Sequence, residues 1–207
     1  MKNFPLKKWV SFLFFSFTLL CINGIYAKAV ESSTLVDVLT VIPDIHLDLK
    51  YATTDNFTGE VVYDFQKCLL HPETAYRLKA VQSELKTMGL SLKIWDGYRT
   101  FKAQEKFWEL VPDSRYVSNP KKGGRHTRGT AVDLTLVTKE GDELPMPSAF
   151  DDFSEKAHRN YLGASKEEIH NREFLRKIME KHGFVGLLSE WWHFDLAEWK
   201  DYPPIRE

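Results

Sequence analysis

Two short segments that would have to meet in space constrain this chain more than anything else in it. Gly124-Arg125-His126-Thr127-Arg128-Gly129-Thr130-Ala131-Val132-Asp133 is answered some sixty residues later by Ser189-Glu190-Trp191-Trp192-His193. Together they offer two imidazoles, a carboxylate able to bind a metal, and a second carboxylate beside the last histidine. A catalytic zinc calls for three nitrogen or oxygen ligands, a fourth position open to water, and a base nearby. No His-Glu-x-x-His helix occurs in the chain. A zinc site here would therefore be built from strands and loops.

Val132, Leu134 and Leu136 alternate with smaller or more polar neighbours, a strand period that predicts one face for the core and Asp133 on the other. His126 lies seven residues upstream of Asp133, bracketed by Gly124 and Gly129. Glycines there let a tight loop fold back and bring the imidazole to the same ion. The aromatic-rich Trp192-His193-Phe194-Asp195-Leu196 reads as a second strand. In a regular strand Glu190 and His193 would point to opposite faces. Both reach one ion only if Glu190 sits in the turn that leads into that strand, an irregular approach that Gly183 and Gly186 would allow. Taken singly, a strand Asp is a turn-end hydrogen bonder and a His between tryptophans is a packed core residue. Their joint occurrence is what points to a metal site. Trp191 and Trp192 themselves read as core or pocket wall.

The pattern His-x-x-Gly-x-Ala-x-Asp followed by Glu-x-Trp-His resembles the zinc D-alanyl-D-alanine peptidases of the LAS type. The closer likeness is to the D-alanyl-D-alanine dipeptidases of the VanX type, in peptidase family M15. Three further segments carry it: Tyr51-Ala52-Thr53-Thr54-Asp55-Asn56-Phe57-Thr58-Gly59, Trp95-Asp96-Gly97-Tyr98-Arg99, and Glu190-Trp191-Trp192-His193-Phe194. The resemblance runs from about Val36 to about Pro203. It implies that His126, Asp133 and His193 bind one Zn²⁺ per chain, that Glu190 is general base and proton shuttle, and that Arg99 stabilises the transition state. Tyr51 and Asp151 match positions that line the substrate pocket. Many members carry Ser two residues before the first zinc histidine, where this chain has Gly124. A hydrogen bond from that hydroxyl must then come from elsewhere: Ser118, Arg125 or backbone N–H groups.

The first 27 residues begin with Lys2, Lys7 and Lys8 and continue into an apolar run from Trp9 to Ile22, the pattern of a secretory signal peptide. The run is short for a membrane span. Ala27 or Ala29 could precede the cut, and Leu20 before Cys21 disfavours a lipid anchor. Residues 28–207 then form a single domain, exported and periplasmic. They carry 25 basic and 29 acidic side chains, a net charge near −4, which speaks against nucleic acid as a partner. Lys121-Lys122 with Arg125 and Arg128 reads as a solvated loop beside the site. Cys68 alone remains after processing, so no intramolecular disulfide is available, and it reads as a small buried apolar residue.

A helix is expected after Pro72, with Leu78, Val81, Leu85 and Met88 on one stripe, ending at Gly89. Leu92 to Ile94 reads as a strand delivering Asp96-Gly97-Tyr98-Arg99, and Ala103, Phe107 and Leu110 as a second helix. Ser165 with Glu168 forms a capping box ahead of a helix closed by Gly183. Residues 139–153, with Gly141, Pro145 and Pro147, read as a loop able to cover the pocket. His46, His71, His158, His170 and His182 lack a ligand spacing. The chain is thus expected to be α+β, with helices around a central, largely antiparallel sheet. The resemblance implies the same architecture, the D,D-peptidase zinc fold related to hedgehog. The expected activity is hydrolysis of the small dipeptide D-alanyl-D-alanine, in recovery of D-alanine from wall material or in vancomycin resistance. The alternatives are a D,D-carboxypeptidase or endopeptidase on longer wall peptides, and a non-catalytic zinc-binding wall module.

Overall fold

The computed structural model describes residues 35–206. The expected signal peptide of residues 1–27 lies outside the described residues. Strand β1 (Val36–Asp37) pairs antiparallel with β3 (Leu69–Leu70), flanking the short helix α1 (Val38–Val41). The main sheet contains β2 (His46–Leu47), β4 (Leu90–Asp96), β5 (Ala131–Thr138), β6 (Phe184–Leu187) and β7 (Glu190–Leu196). Its order is β2-β4-β5-β7-β6, and only the β2–β4 pair is parallel. The expectation of an α+β fold on a largely antiparallel sheet is met.

Helices α2 (Pro72–Lys86) and α4 (Lys166–Lys181) pack on this sheet. Their Leu78, Val81, Leu85, Leu175 and Met179 join Leu92, Ile94, Val132, Leu134, Leu136 and Phe194 in one apolar cluster. The registers Leu92↔Leu136, Ile94↔Leu134 and Val132↔Phe194 put these strand residues on one face. The alternate positions, among them Asp133, His193 and Asp195, fall on the other, and a register shift after Ile94 sets Asp96 opposite Asp133 there. That second face is covered too. Past β7, residues 142–144 return along the edge of β5, with Leu144 N donating to Leu136 O at 3.0 Å, and β5 is buried on both faces rather than one. Helix α3 (Phe101–Leu110) anchors a second cluster of Tyr51, Tyr63, Ala103, Phe107 and Val117.

Local sequence explains the helix ends. Pro72 stands at the first turn of α2, where its missing N–H costs nothing, and His71 Nδ1 accepts from Glu73 N. The helix stops at Lys86 rather than reaching Gly89. Bonds from Thr87 N to Glu84 O and Met88 N to Leu85 O tighten the chain first, and Gly89 turns it at φ 73°. Met88 and Leu110, read as part of apolar stripes, are exposed. The α4 capping box is present: Ser165 Oγ accepts from Glu168 N at 3.2 Å and Glu168 Oε2 from Ser165 N at 2.7 Å. Gly183, at φ 84°, follows the helix. Among the described residues no helix is long and apolar enough to cross a membrane.

Ser165→Ala should lower unfolding free energy by about 1 kcal/mol, the usual worth of an N-cap hydroxyl. Urea denaturation followed by circular dichroism checks this. An unchanged midpoint would mean that tertiary packing alone holds the start of α4.

Candidate metal centre and active cleft

The register of β5 and β7 sets Asp133 directly opposite His193. His126 arrives from the loop before β5, in a 3₁₀ turn (His126–Arg128) closed by Gly129 at φ 67°. Of the two glycines read as bracketing that loop, Gly129 supplies the left-handed turn. His193 Nδ1 lies 2.9 Å from Asp133 Oδ1 and 3.2 Å from His126 Nε2, and His126 Nε2 lies 3.4 Å from Asp133 Oδ2. Zinc bonds of ~2.0–2.1 Å at tetrahedral angles place donor atoms roughly 3.3 Å apart, so this spacing fits one small cation. Among the described residues this is the only cluster of three or more such side chains whose ligating atoms converge. None of the other five histidines joins it. His71 caps α2, and His182 Nε2 lies 2.8 Å from Glu84.

The far sides of both rings are held. His126 Nδ1 lies 2.7 Å from Gly97 O, which can only accept, so that nitrogen carries the hydrogen and Nε2 turns its lone pair inward. Gly97 is needed for this approach, since a Cβ there would stand 2.9 Å from Cys68 Sγ and 3.0 Å from Leu69 O. Cys68 itself is a free, buried thiol, as its sequence suggested. His193 Nε2 lies 2.9 Å from Asp195 Oδ1, and Asp195 Oδ2 is paired with Arg125 at 2.8 Å. Outer partners of this kind fix ring orientation and raise ligand basicity.

The problem of Glu190 and His193 is solved by a break in the β6–β7 ladder. Gly186 pairs with Phe194, but the next residue, Leu187, pairs with Glu190. The slip leaves Trp191, Trp192 and His193 without β6 partners, and Glu190 Oε2 comes to 3.8 Å from His193 Nδ1. Glu190 is the first residue of β7 rather than part of the preceding turn. Burial, with the charge of Asp133 adding to it against His193, pushes the Glu190 carboxyl up to about 8. Asp133 moves the other way: burial alone would raise it, but His126 and His193 hold it well below the ordinary carboxylate range. Burial would lower His193, yet Asp195 and Asp133 outweigh it and raise the imidazole to about 10.

Arg99 lines the same cleft. Its Nη2 donates to Asp96 Oδ2 at 2.7 Å, and its guanidinium lies 4.6 Å above the Phe107 ring and 5.5 Å from the Tyr51 ring centre. Asp96 is anchored in turn by Tyr63 Oη at 2.7 Å and Gly97 N at 2.9 Å. Across the cleft Tyr51 Oη donates to both oxygens of Asp151, at 3.0 and 3.2 Å. Asp151 is the one non-glycine with positive φ among the described residues, at 58°, a conformation Asp tolerates better than most side chains. Burial pushes its carboxyl up to about 7 even though the Tyr51 hydroxyl pulls it down. Phe150 packs on Trp95 and Trp192, and the loop over residues 139–153 contributes Asp151 and Phe153 to the cleft wall. Tyr51, Arg99, Asp133, Asp151, Glu190 and His193 line one cleft.

Gly124 has ordinary backbone torsions, and its reason is space. A Cβ there would lie 3.3 Å from both Gln104 Oε1 and Ser118 Cβ, and 3.5 Å from Ser118 Oγ. The Ser118 hydroxyl thus stands where a residue 124 side chain would reach, at the cleft wall. Gln104 Nε2 donates to Ser118 O at 2.7 Å and fixes it there. The basic loop is less solvated than its composition suggested. Arg125 and Arg128 both lie against Trp199, at 5.1 and 5.3 Å, and Arg128 bonds Tyr202 O, which ties down the C-terminal segment.

The site residues named from the sequence thus assemble around one cleft. Sequence reasoning gave no role to Asp96, Asp195 or Gln104. Asp195, two positions after His193 on a strand, shares its face, and that spacing was a usable signal. Asp96 and Gln104 reach the site only through tertiary packing.

The chain belongs to the peptidase M15 family of D-ala-D-ala dipeptidases, whose family model matches residues 31–204. It is a metallopeptidase. The D-alanyl-D-alanine dipeptidase of Escherichia coli (strain K12) is 40% identical over 177 residues, covering 86% of this chain and 92% of that protein. That of Enterococcus faecalis is 34% identical over 180 residues, covering 77% and 89%, and that of Enterococcus faecium 35% over 184 residues, covering 79% and 91%.

Asp195→Asn should weaken metal affinity by ~10–100-fold, the usual cost of losing a carboxylate behind a metal-binding histidine. Chelator competition on the purified protein measures it. Unaltered affinity would remove Asp195 from the metal centre.

Proposed function

We propose that this chain hydrolyses D-alanyl-D-alanine to two D-alanine molecules, with one Zn²⁺ per chain held by His126, Asp133 and His193. Family membership at 34–40% identity to D-alanyl-D-alanine dipeptidases supports the substrate. The observation that carries the reading is the convergence of two inward-facing ring nitrogens and a buried carboxylate beside Glu190. A zinc ion on these donors supplies a Lewis acid and lowers the pKa of water toward ~7.

The chain's own groups divide the remaining work. Glu190 takes a proton from the attacking water at its carboxylate and delivers it to the leaving amine nitrogen. Arg99 holds its charge at any working pH, and its fixed place between Asp96 and two aromatic rings keeps that charge aimed at the cleft. Asp151, steadied by Tyr51, pairs with the free ammonium of a dipeptide. Trp192 and Phe153 form part of the wall around it. The basic and then apolar composition of residues 1–27 supports export to the cell envelope, where the product would be D-alanine recovered from wall material.

Glu190→Ala should lower kcat by ~10²–10⁴-fold with the metal still bound. Loss of the metal as well would make Glu190 a ligand, and normal turnover would exclude it from the reaction. Arg99→Lys should also be poorly active, because an ammonium lacks the planar fork.

Acylating the substrate amine removes the charge that Asp151 pairs with. N-acetyl-D-alanyl-D-alanine and a wall pentapeptide ending in the same pair should therefore be cleaved at least ~10²-fold less efficiently. Equal kcat/KM for all three would mean a carboxypeptidase. Because the Asp151 carboxyl is raised to about 7 and pairs with ammonium only when ionised, KM for the dipeptide should rise as pH falls through that value. In Asp151→Asn this dependence should vanish.

A further inference from the structure

Arg159 is a buried cation that the reaction described above does not use. It follows a 3₁₀ turn (Glu155–Ala157) and has no ion-pair partner among the described residues. Its donors go to backbone instead. Nε donates to Leu187 O at 2.8 Å and Nη2 to His193 O at 2.6 Å, while its own N–H donates to Leu188 O at 2.9 Å. The guanidinium lies 4.3 Å from the Phe194 ring centre. These contacts span the place where the β6–β7 ladder is broken, between Gly186 and Leu187.

Gly186 makes room for this. A Cβ at that position would stand 2.2 Å from Arg159 Cζ and 2.3 Å from its Nε. The torsions at Gly186 are ones that any residue can adopt, so the glycine serves the guanidinium rather than the turn. A planar fork suits the task, since its Nε and Nη2 reach two carbonyls on two different strands at once. An ammonium is a point charge and cannot span them in the same way.

We propose that Arg159 is a positioning residue for the proton shuttle: its guanidinium bridges the interrupted ladder and holds Glu190 on the same face as His193. The proposal rests on Glu190 being the shuttle. Without the bridge, the three residues between Glu190 and Phe194 that lack β6 partners can relax toward a regular strand, which turns Glu190 to the opposite face. Arg159 acts on the reaction only through that geometry, because it does not line the cleft.

The test is a double-mutant cycle on the metal-loaded full chain, with kcat, KM, bound metal and Tm measured for each variant. Arg159→Met keeps the aliphatic stem against Phe194 and removes the donors. It should lower kcat for D-alanyl-D-alanine by ~10–100-fold, the scale of a misplaced catalytic group, with KM changed by less than about threefold. Gly186→Ala, which displaces the guanidinium from the other side, should do the same, and Arg159→Lys should fall between. In a Glu190→Ala background Arg159→Met should cost less than about threefold more, since groups acting as one unit are not additive. Leu175→Ala, a core truncation away from the cleft, gives the effect of lost stability alone. The proposal is overturned if Arg159→Met costs the same factor in both backgrounds, or if its loss of kcat is matched by Leu175→Ala at equal loss of Tm. If Glu190→Ala itself turns over normally, the shuttle assignment fails and this proposal with it. If Arg159→Met does not fold, Gly186→Ala and Arg159→Lys decide by the same criteria.

Discussion

The cross-strand pairing of Asp133 with His193 is the constraint on which everything else in this molecule depends. It joins the two segments whose side chains could hold a metal. By strand parity it also puts Asp195 on the same face as the pair, and a register shift between Ile94 and Asp96 brings Asp96 opposite Asp133. A slip of one residue in either strand would send the polar set into the Leu and Val face against α2 and α4 and expose apolar groups to the cleft. The apolar alternation of Val132, Leu134 and Leu136 therefore does two jobs. It builds the core beneath the sheet, and it excludes every register but the one that assembles the site.

The same strand shows why part of the architecture was legible in the sequence and part was not. Period-two alternation made β5 readable, and the Ser165–Glu168 spacing made the start of α4 readable, because both signals are local. The Glu-x-x-His segment was readable as chemistry but not as geometry. Its solution is a ladder slip held by Arg159, a residue some thirty positions upstream with no sequence relation to the motif. Residues 142–144 pair with the edge of β5 beyond the end of β7, which alternation within β5 cannot announce. The basic loop misled for a similar reason. Its arginines are covered by Trp199 and bonded to Tyr202 and Asp195, all of them distant in the chain.

Gly97, Gly124 and Gly186 show a related limit. None has positive φ, and each is glycine because another group occupies the space of its Cβ: Cys68 and Leu69 O at Gly97, Gln104 and Ser118 at Gly124, Arg159 at Gly186. Read from sequence, they suggest turns. In the folded chain they are close approaches, and each lies beside a group that touches the cleft or supports it. Gly97 offers the carbonyl that orients His126, Gly124 clears the Ser118 hydroxyl, and Gly186 admits the guanidinium.

The electrostatics of the cleft follow from crowding carboxylates on one buried face. Asp96, Asp133, Asp151, Glu190 and Asp195 all border the centre, with Arg99 the buried cation among them and Arg125 at the edge. Burial raises carboxyl groups that lack strong partners, which is the case for Glu190 and Asp151, while Asp133 is drawn the other way by two imidazoles. Two carboxylates on the same face are thereby pushed in opposite directions, the arrangement that separates a ligand from an acid–base group. A divalent cation beside Glu190 would draw its value down from about 8, toward the neutral range in which one carboxylate can both accept and return a proton. The sheet geometry that gathers the three candidate ligands thus also sets the environment of the Glu190 carboxyl. Asp133 faces both imidazoles across the strand pair, and Glu190, displaced by the ladder slip, faces the same centre with burial raising its carboxyl.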